Sequence, residues 1–208
     1  VSPGPRVPGL FTGPFAFCRL PPVPAHWTHM QSVIAIVGRP NVGKSALFNR
    51  LAGRRIAIVH DQPGVTRDRV MTEAEWGGVP FTLIDTGGIG LLRGERAEDV
   101  ITAAAFDQVQ MALEAASVIL FVVNVQEGIV PLDIEVAKRL RAAHKPVLVV
   151  VNKVDHDRAD GGLPEFSRLG FETLIPVSAI HGRGIDALMT EVLTRLPQSS
   201  PPDEASPV

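Results

Sequence analysis

The chain has one cysteine, Cys18, so no internal disulfide framework and no cluster of thiolate metal ligands can form. It has no long apolar run. The longest, such as Val118–Val123 and Val147–Val151, fall far short of the roughly 18 residues a membrane span requires. It has no charge excess: net charge is −2 and pI ≈ 6.3, which excludes a polybasic protein held to nucleic acid or membrane by bulk charge. Lysine is scarce, four against sixteen arginines, and the six histidines show no metal-ligand spacing and read as surface or loop residues. What is there is 208 residues, 45% hydrophobic and 20% charged. That composition fits one domain with a sizeable core, and a cytoplasmic enzyme or switch is the class that remains.

Proline is unevenly placed. Seven of 18 fall in residues 1–32 and four in 197–208. Residues 1–32 contain no acidic residue and only two basic ones, Arg6 and Arg19, and lack helical or strand periodicity. They read as a disordered arm or a mis-called start, because Met30 stands just before the first strand. A secretory signal is the weaker reading, since Pro14 interrupts the apolar stretch and no small-residue cleavage site follows. Residues 197–208 are Pro/Ser-rich and read as a linker or tail. The domain proper is expected at 33–196.

Within it, strand-length apolar runs alternate with helix-length amphipathic stretches. Strands are expected at Val33–Val37, Phe81–Ile84, Val118–Val125, Pro146–Val151 and Thr173–Val177, and a more polar edge strand at Val70–Trp76. Helices are expected at Lys44–Ala52, Ala97–Ala115, Leu132–Ala143 and Ile185–Leu196. Near-continuous Val/Ile runs mean strands buried on both faces, and the alternation means a three-layer α/β fold. Its six-stranded sheet is mostly parallel with one antiparallel edge strand. Ligands of such sheets bind beyond the carboxyl ends of the strands, where every motif below falls.

Gly38-Arg-Pro-Asn-Val-Gly43-Lys44-Ser45 matches G-x-x-x-x-G-K-[ST], after an apolar strand and at the start of a helix. Gly38 and Gly43 let the backbone curl around a phosphate, and the helix N-terminus adds positive potential. Lys44 is expected to reach the β- and γ-phosphates, and the Ser45 hydroxyl to ligate Mg²⁺. The whole stretch Gly38, Arg39, Pro40, Asn41, Val42, Gly43, Lys44, Ser45 and Ala46 is expected to line the nucleotide. Asp85-Thr-Gly-Gly88 ends the next buried run; Asp85 is the second expected Mg²⁺ ligand and Gly88 a backbone donor to the γ-phosphate.

Asn152-Lys153-Val-Asp155 ends a later strand. A carboxylate there can accept from the ring N–H and exocyclic amine of guanine, a donor pair adenine lacks, so the nucleotide is expected to be GTP or GDP. The Lys153 stem can lie over the base. Ser178-Ala179-Ile180 follows the last strand and would offer a backbone N–H to the guanine carbonyl.

Pro63-Gly-Val-Thr66-Arg-Asp-Arg69 precedes the edge strand, and Thr66 is the candidate to close on Mg²⁺ and the γ-phosphate. Residues 87–96 read as a second switch. Ile89 occupies the place where Ras-like enzymes orient water with glutamine, which isoleucine cannot do. Two readings of Asn41 stand open: its amide either caps the loop, or offers an oxygen to a K⁺ that replaces an arginine finger. Arg54, Arg55, Arg67 and Arg69 form a locally basic patch, read first as an ordinary solvated face. Trp76 is expected at a sheet edge, and Cys18 to be inert.

The order of GRPNVGKS at 38–45, PGVTRDR at 63–69, DTGGI at 85–89, NKVD at 152–155 and SAIHGRG at 178–184 resembles the translation-factor-like GTPases with a hydrophobic residue in the catalytic glutamine position, which implies the G-domain fold of P-loop NTPases. More narrowly, it resembles the first G domain of the bacterial Der (EngA) GTPases. The resemblance covers about 33–196. It implies a GTP-hydrolysing switch, Lys44, Asn41, Thr66 and Gly88 as catalytic positions, and Ser45, Thr66 and Asp85 on Mg²⁺. It also implies K⁺-stimulated hydrolysis with Asn41 as the K⁺ ligand, and a role in assembling the large ribosomal subunit. The ribosome or its precursor would be met through parts absent from this chain, no membrane is involved, and the isolated domain is expected to be monomeric. Two departures are visible: Ala46 replaces a common threonine, and Asn124 a common aspartate. Alternatives are a GTP/GDP-binding regulatory module with negligible turnover, or an Era-like or tRNA-modification GTPase.

Overall fold

The computed structural model describes residues 32–53, 70–86 and 97–197. Six strands, β1 (Val33–Val37), β2 (Val70–Trp76), β3 (Val79–Asp85), β4 (Val118–Asn124), β5 (Val147–Asn152) and β6 (Leu174–Pro176), form one sheet. Its order is β2-β3-β1-β4-β5-β6; only the β2–β3 pair is antiparallel. Among the described residues four helices flank it: α1 (Lys44–Ala52), α2 (Ala97–Ala115), α3 (Pro131–Ala142) and α4 (Ile185–Arg195).

Side-chain alternation along the central strands divides the interior in two. Ile34, Ile36, Val118, Leu120, Val122, Leu148 and Val150 face α1 and α4, where they meet Leu47, Leu51, Leu188 and Val192. Val33, Ala35, Val37, Ile119, Phe121, Val149 and Val151 face α2 and α3, against Ala105, Val109, Ala112, Val136 and Leu140. Every residue of β1 and β4 is therefore buried, which explains why neither shows a polar face in the sequence. At about 1.5–3 kcal/mol per fully buried aliphatic side chain, this double-sided burial dominates the stability of the sheet.

The expected elements are present, four with the expected bounds and the rest with ends moved by one or two residues. One is additional: a 3₁₀ stretch, Asp157–Leu169, between β5 and β6. Gly161, Gly162 and Pro164 suppress helical periodicity there, while Phe166 and Leu169, three apart, both bury into the α2/α3 layer. Three residues per turn puts such a pair on one face. The β2–β3 pair forms the expected antiparallel edge, with Trp76 half-buried against the α1/α4 core.

Candidate functional site

The carboxyl ends of β1, β3, β4 and β5 carry the site residues, as the strand pattern requires. The turn after β1 is shaped by two close approaches. Gly38 has φ 148°, and a Cβ there would lie 2.4 Å from the carbonyl oxygen of Val122 in β4. Gly43 has φ 97°, and its Cβ would lie 2.2 Å from Nδ2 of Asn152. Both positions demand glycine on two counts, backbone conformation and space.

Gly43 also opens α1, which has no side-chain cap and no acidic residue in its first turn. The amino end of α1 thus keeps its positive potential at the loop. Lys44 is buried and lies back along this loop. Its ammonium donates to the carbonyls of Gly38 at 2.6 Å and Arg39 at 2.9 Å. Burial pulls its pKa down to about 8, opposed by the Asp85 charge and reinforced by Arg39. Ser45 Oγ donates to Asp85 Oδ2 at 3.1 Å, bringing a hydroxyl and a carboxylate together at the ends of the first helix and third strand. Asn41 is exposed with φ 64°, a conformation asparagine tolerates better than most residues.

Arg39 is held from outside the loop. Its guanidinium lies 2.6 Å from Glu127 and 3.4 Å from the fully buried Asp133. Asp133 also accepts the Val130 backbone N–H, capping α3. Burial raises the Asp133 pKa, whereas the hydrogen bond from Arg39 lowers that of Glu127. Asn124, buried at the end of β4, donates to Glu127 at 2.7 Å and accepts from the backbone of Gln126. An aspartate at 124 would instead face the Glu127 carboxylate with like charge, so the asparagine departure suits its neighbour.

The second half of the site lies beyond β5 and β6. Asn152 is buried, and its amide is spent on the protein: Nδ2 donates to Val42 O at 2.9 Å, and Oδ1 accepts the Ala179 N–H at 3.0 Å. It straps the phosphate turn to the loop after β6. The Ala179 N–H, expected to face a base carbonyl, is given to Asn152 in this structure. Ser178 is likewise buried, and its Oγ donates at 2.6 Å to Oδ1 of the exposed Asp155. Lys153 takes φ 65° between them. Ile180 is 68% exposed, an apolar side chain presented to whatever fills the adjoining space.

Arg50, from the last turn of α1, grips this loop. Nε donates to Ala179 O at 2.9 Å, and Nη2 donates to Ile180 O. Nothing local in the sequence signals that contact, which spans 129 residues. Thr66, Gly88, Ile89 and the Arg54/Arg55/Arg67/Arg69 patch lie outside the described residues, as does Cys18. Among the described residues no group of three or more His, Cys, Asp or Glu could hold a metal, and no helix is long and apolar enough to cross a membrane.

Comparison with known proteins gives the following. A family described as 50S ribosome-binding GTPase matches residues 33–153. The GTPase Der of Symbiobacterium thermophilum is 50% identical over 181 residues, which cover 86% of this chain and 38% of that protein. The chain spans well under half the length of the curated relatives it matches. Among solved structures, a point variant of Aquifex aeolicus Era bound to GDP·AlF₄⁻ aligns with TM-score 0.63 at 33% identity, covering 81% of this chain and 58% of that one. Era in complex with MgGDPNP and nucleotides 1506–1542 of 16S ribosomal RNA aligns with TM-score 0.64 at 34% identity, over 83% and 59%.

Proposed function

The chain belongs to the 50S ribosome-binding GTPase family, and from that membership we propose a Mg²⁺-dependent, K⁺-stimulated switch that hydrolyses GTP in the service of large-subunit assembly. The observation that carries the reading is the convergence of Lys44, Ser45 and Asp85 at one end of the sheet, with Asp155 held by Ser178 beyond β5. Residues 33–196 are the G domain in this reading, flanked by an arm and a linker. The setting is cytoplasmic.

Ser45 and Asp85 supply two hard oxygen donors, one neutral and one anionic. Mg²⁺ favours that set because it completes its shell with phosphate oxygens and water rather than with a protein cage. The Era structure holding MgGDPNP supports the choice of cation. Asn41, exposed in the loop, is the oxygen donor for K⁺. The two cations would supply positive charge where phosphate oxygens become more negative, a task for which Ile89 provides no substitute.

The chain's own residues do the remainder. Lys44 is already aimed along the loop and needs only to exchange two carbonyls for phosphate oxygens. Thr66 and Gly88 close on the γ-phosphate. Asp155 accepts the paired N–H donors of guanine, Lys153 and Ile180 cover its faces, and the Ser178–Ala179 loop turns an N–H to its carbonyl. For this last contact the Ala179 N–H must be shared with, or released by, Asn152.

The test is steady-state GTP hydrolysis with Mg²⁺ in matched KCl and NaCl. Turnover several-fold faster in KCl is expected, and lost in Asn41→Ala. Equal, near-zero turnover in both salts would overturn the hydrolytic reading and leave a guanine-nucleotide-binding module.

A further inference from the structure

We infer that Arg50 is a positioning residue for guanine recognition, acting through the backbone of the loop after β6; the inference rests on the nucleotide site proposed above. Three observations carry it. First, the guanidinium donates to two successive carbonyls, those of Ala179 and Ile180. In a trans peptide the N–H points opposite to the C=O. Fixing Ala179 O therefore fixes the Ile180 N–H, and fixing Ile180 O fixes the His181 N–H.

Second, the fixed peptides lead to the base-reading carboxylate. The His181 N–H donates to Ser178 Oγ at 3.3 Å, and that hydroxyl donates to Asp155 Oδ1 at 2.6 Å. Arg50, the 180–181 peptide, Ser178 and Asp155 thus form one hydrogen-bonded series. Two further bonds tie the loop to itself: the Ser178 N–H donates to Arg183 O, and the Gly182 N–H to Ser178 O. The series sets the direction of the Asp155 carboxylate from a point outside the base pocket.

Third, the grip comes from α1. That nine-residue helix begins with Lys44 and Ser45 at the phosphate turn and carries Arg50 at its other end. A rigid helix of this length holds the phosphate-reading and base-reading parts at a fixed separation. Arg50 acts through the Ala179 and Ile180 carbonyls. It lines an open cavity of about 350 Å³ with Trp76, Ile180, Ile185 and Asp186, on the side of the loop where α1 and α4 meet. Gly182 passes close over it; a Cβ there would lie 3.6 Å from the guanidinium carbon.

The expectation is specific. Arg50→Ala frees the two carbonyls and loosens Asp155, so affinity for GDP falls while chemistry on bound GTP is untouched. Charge-assisted hydrogen bonds at an exposed site suggest a loss of roughly three- to tenfold. It appears as faster nucleotide release and a raised KM at constant kcat. Arg50→Lys, which keeps one donor, recovers part of the loss. A diphosphate of 2-aminopurine riboside, which lacks both the 6-carbonyl and the N1–H that Asp155 would accept, should lose less affinity than GDP on the same substitution.

The experiment is stopped-flow release of a fluorescent GDP analogue, with competition by GDP and the 2-aminopurine diphosphate, on wild type, Arg50→Ala and Arg50→Lys. Thermal unfolding of each nucleotide-free variant accompanies it. Equal release rates in all three proteins, or an equal loss for both nucleotides, would overturn the inference. So would a fall in kcat with unchanged KM. Should wild type fail to bind GDP at all, the proposed function itself fails, and that result is distinguishable from a failure confined to the Arg50 variants.

Discussion

Ser45 and Asp85 stand 40 residues apart in the chain, yet the serine hydroxyl donates to the aspartate Oδ2 across 3.1 Å. The pairing follows from topology: β1 and β3 are parallel neighbours, so the helix leaving one begins beside the end of the other. In the proposed function, a hydroxyl and a carboxylate so placed would serve one cation jointly.

That joint use predicts non-additivity. Ser45→Ala and Asp85→Asn should each weaken Mg²⁺ binding to the nucleotide complex by roughly tenfold or more, about 1.4 kcal/mol. The double variant should cost little beyond the worse single one, because both act on the same ion. Mg²⁺ titration of the three variants checks this; fully additive losses would mean the two residues serve different ends.

Lys44 makes nucleotide binding a proton-linked event. Its pKa is pulled down to about 8 from the ordinary 10.5, because burial disfavours the ammonium. Phosphate oxygens beside it would restore the charged form and raise the pKa. Binding should then take up a proton above pH 8, and affinity should fall by up to roughly tenfold per pH unit there. Calorimetry in buffers of different ionisation enthalpy reads the proton directly. The same shift bears on folding. The unfolded chain holds this proton up to pH 10.5 and the folded one releases it near 8. The group's contribution therefore makes the nucleotide-free fold gain stability as pH rises between those values, and the unfavourable effect is fully present below pH 8.

Asp155→Asn should exchange guanine for xanthine preference. The carboxylate accepts two N–H donors, whereas an asparagine amide offers a donor to the 2-oxo group of xanthine. Loss of guanosine nucleotide affinity should reach roughly a hundredfold, since a polar mismatch covered by the bound base is hard to relieve. Competition between GDP and XDP measures it, and an unchanged preference would remove Asp155 from the base pocket.

Much of this was legible in the residues. β2 and α2 sit where the alternating and amphipathic stretches end, and Gly38, Gly43, Lys44, Ser45 and Asp85 meet because their motif spacing encodes a strand-turn-helix beside a strand. Less legible was what each polar group does with its second partner. Asn152 reads as part of a base motif, but its amide is consumed by Val42 and Ala179, 110 and 27 residues away. Arg39 reads as part of the nucleotide-lining turn, but Glu127 and Asp133 anchor it. Arg50 carries no motif at all. Such contacts are set by which strands neighbour one another, and no local period records them. The stretch Asp157–Leu169 was missed for a related reason: its glycines and Pro164 mask a three-residue period that only Phe166 and Leu169 reveal.

The order of the sheet also governs timing. β1 is flanked by β3 and β4, never by β2, so the earliest of the described strands waits for partners made much later. The walls that press on Gly38 and Gly43 are Val122 and Asn152. A ribosome therefore releases the signature octet long before the residues that mould it, and non-local pairing of this kind folds slowly. A chain halted after α3 should hold the complete octet and capture no GDP; retention of the nucleotide by that chain would contradict the dependence. Capture of nucleotide then marks the moment when β5 has joined the sheet, and the ligand's mass action begins to stabilise the fold only from that point in synthesis.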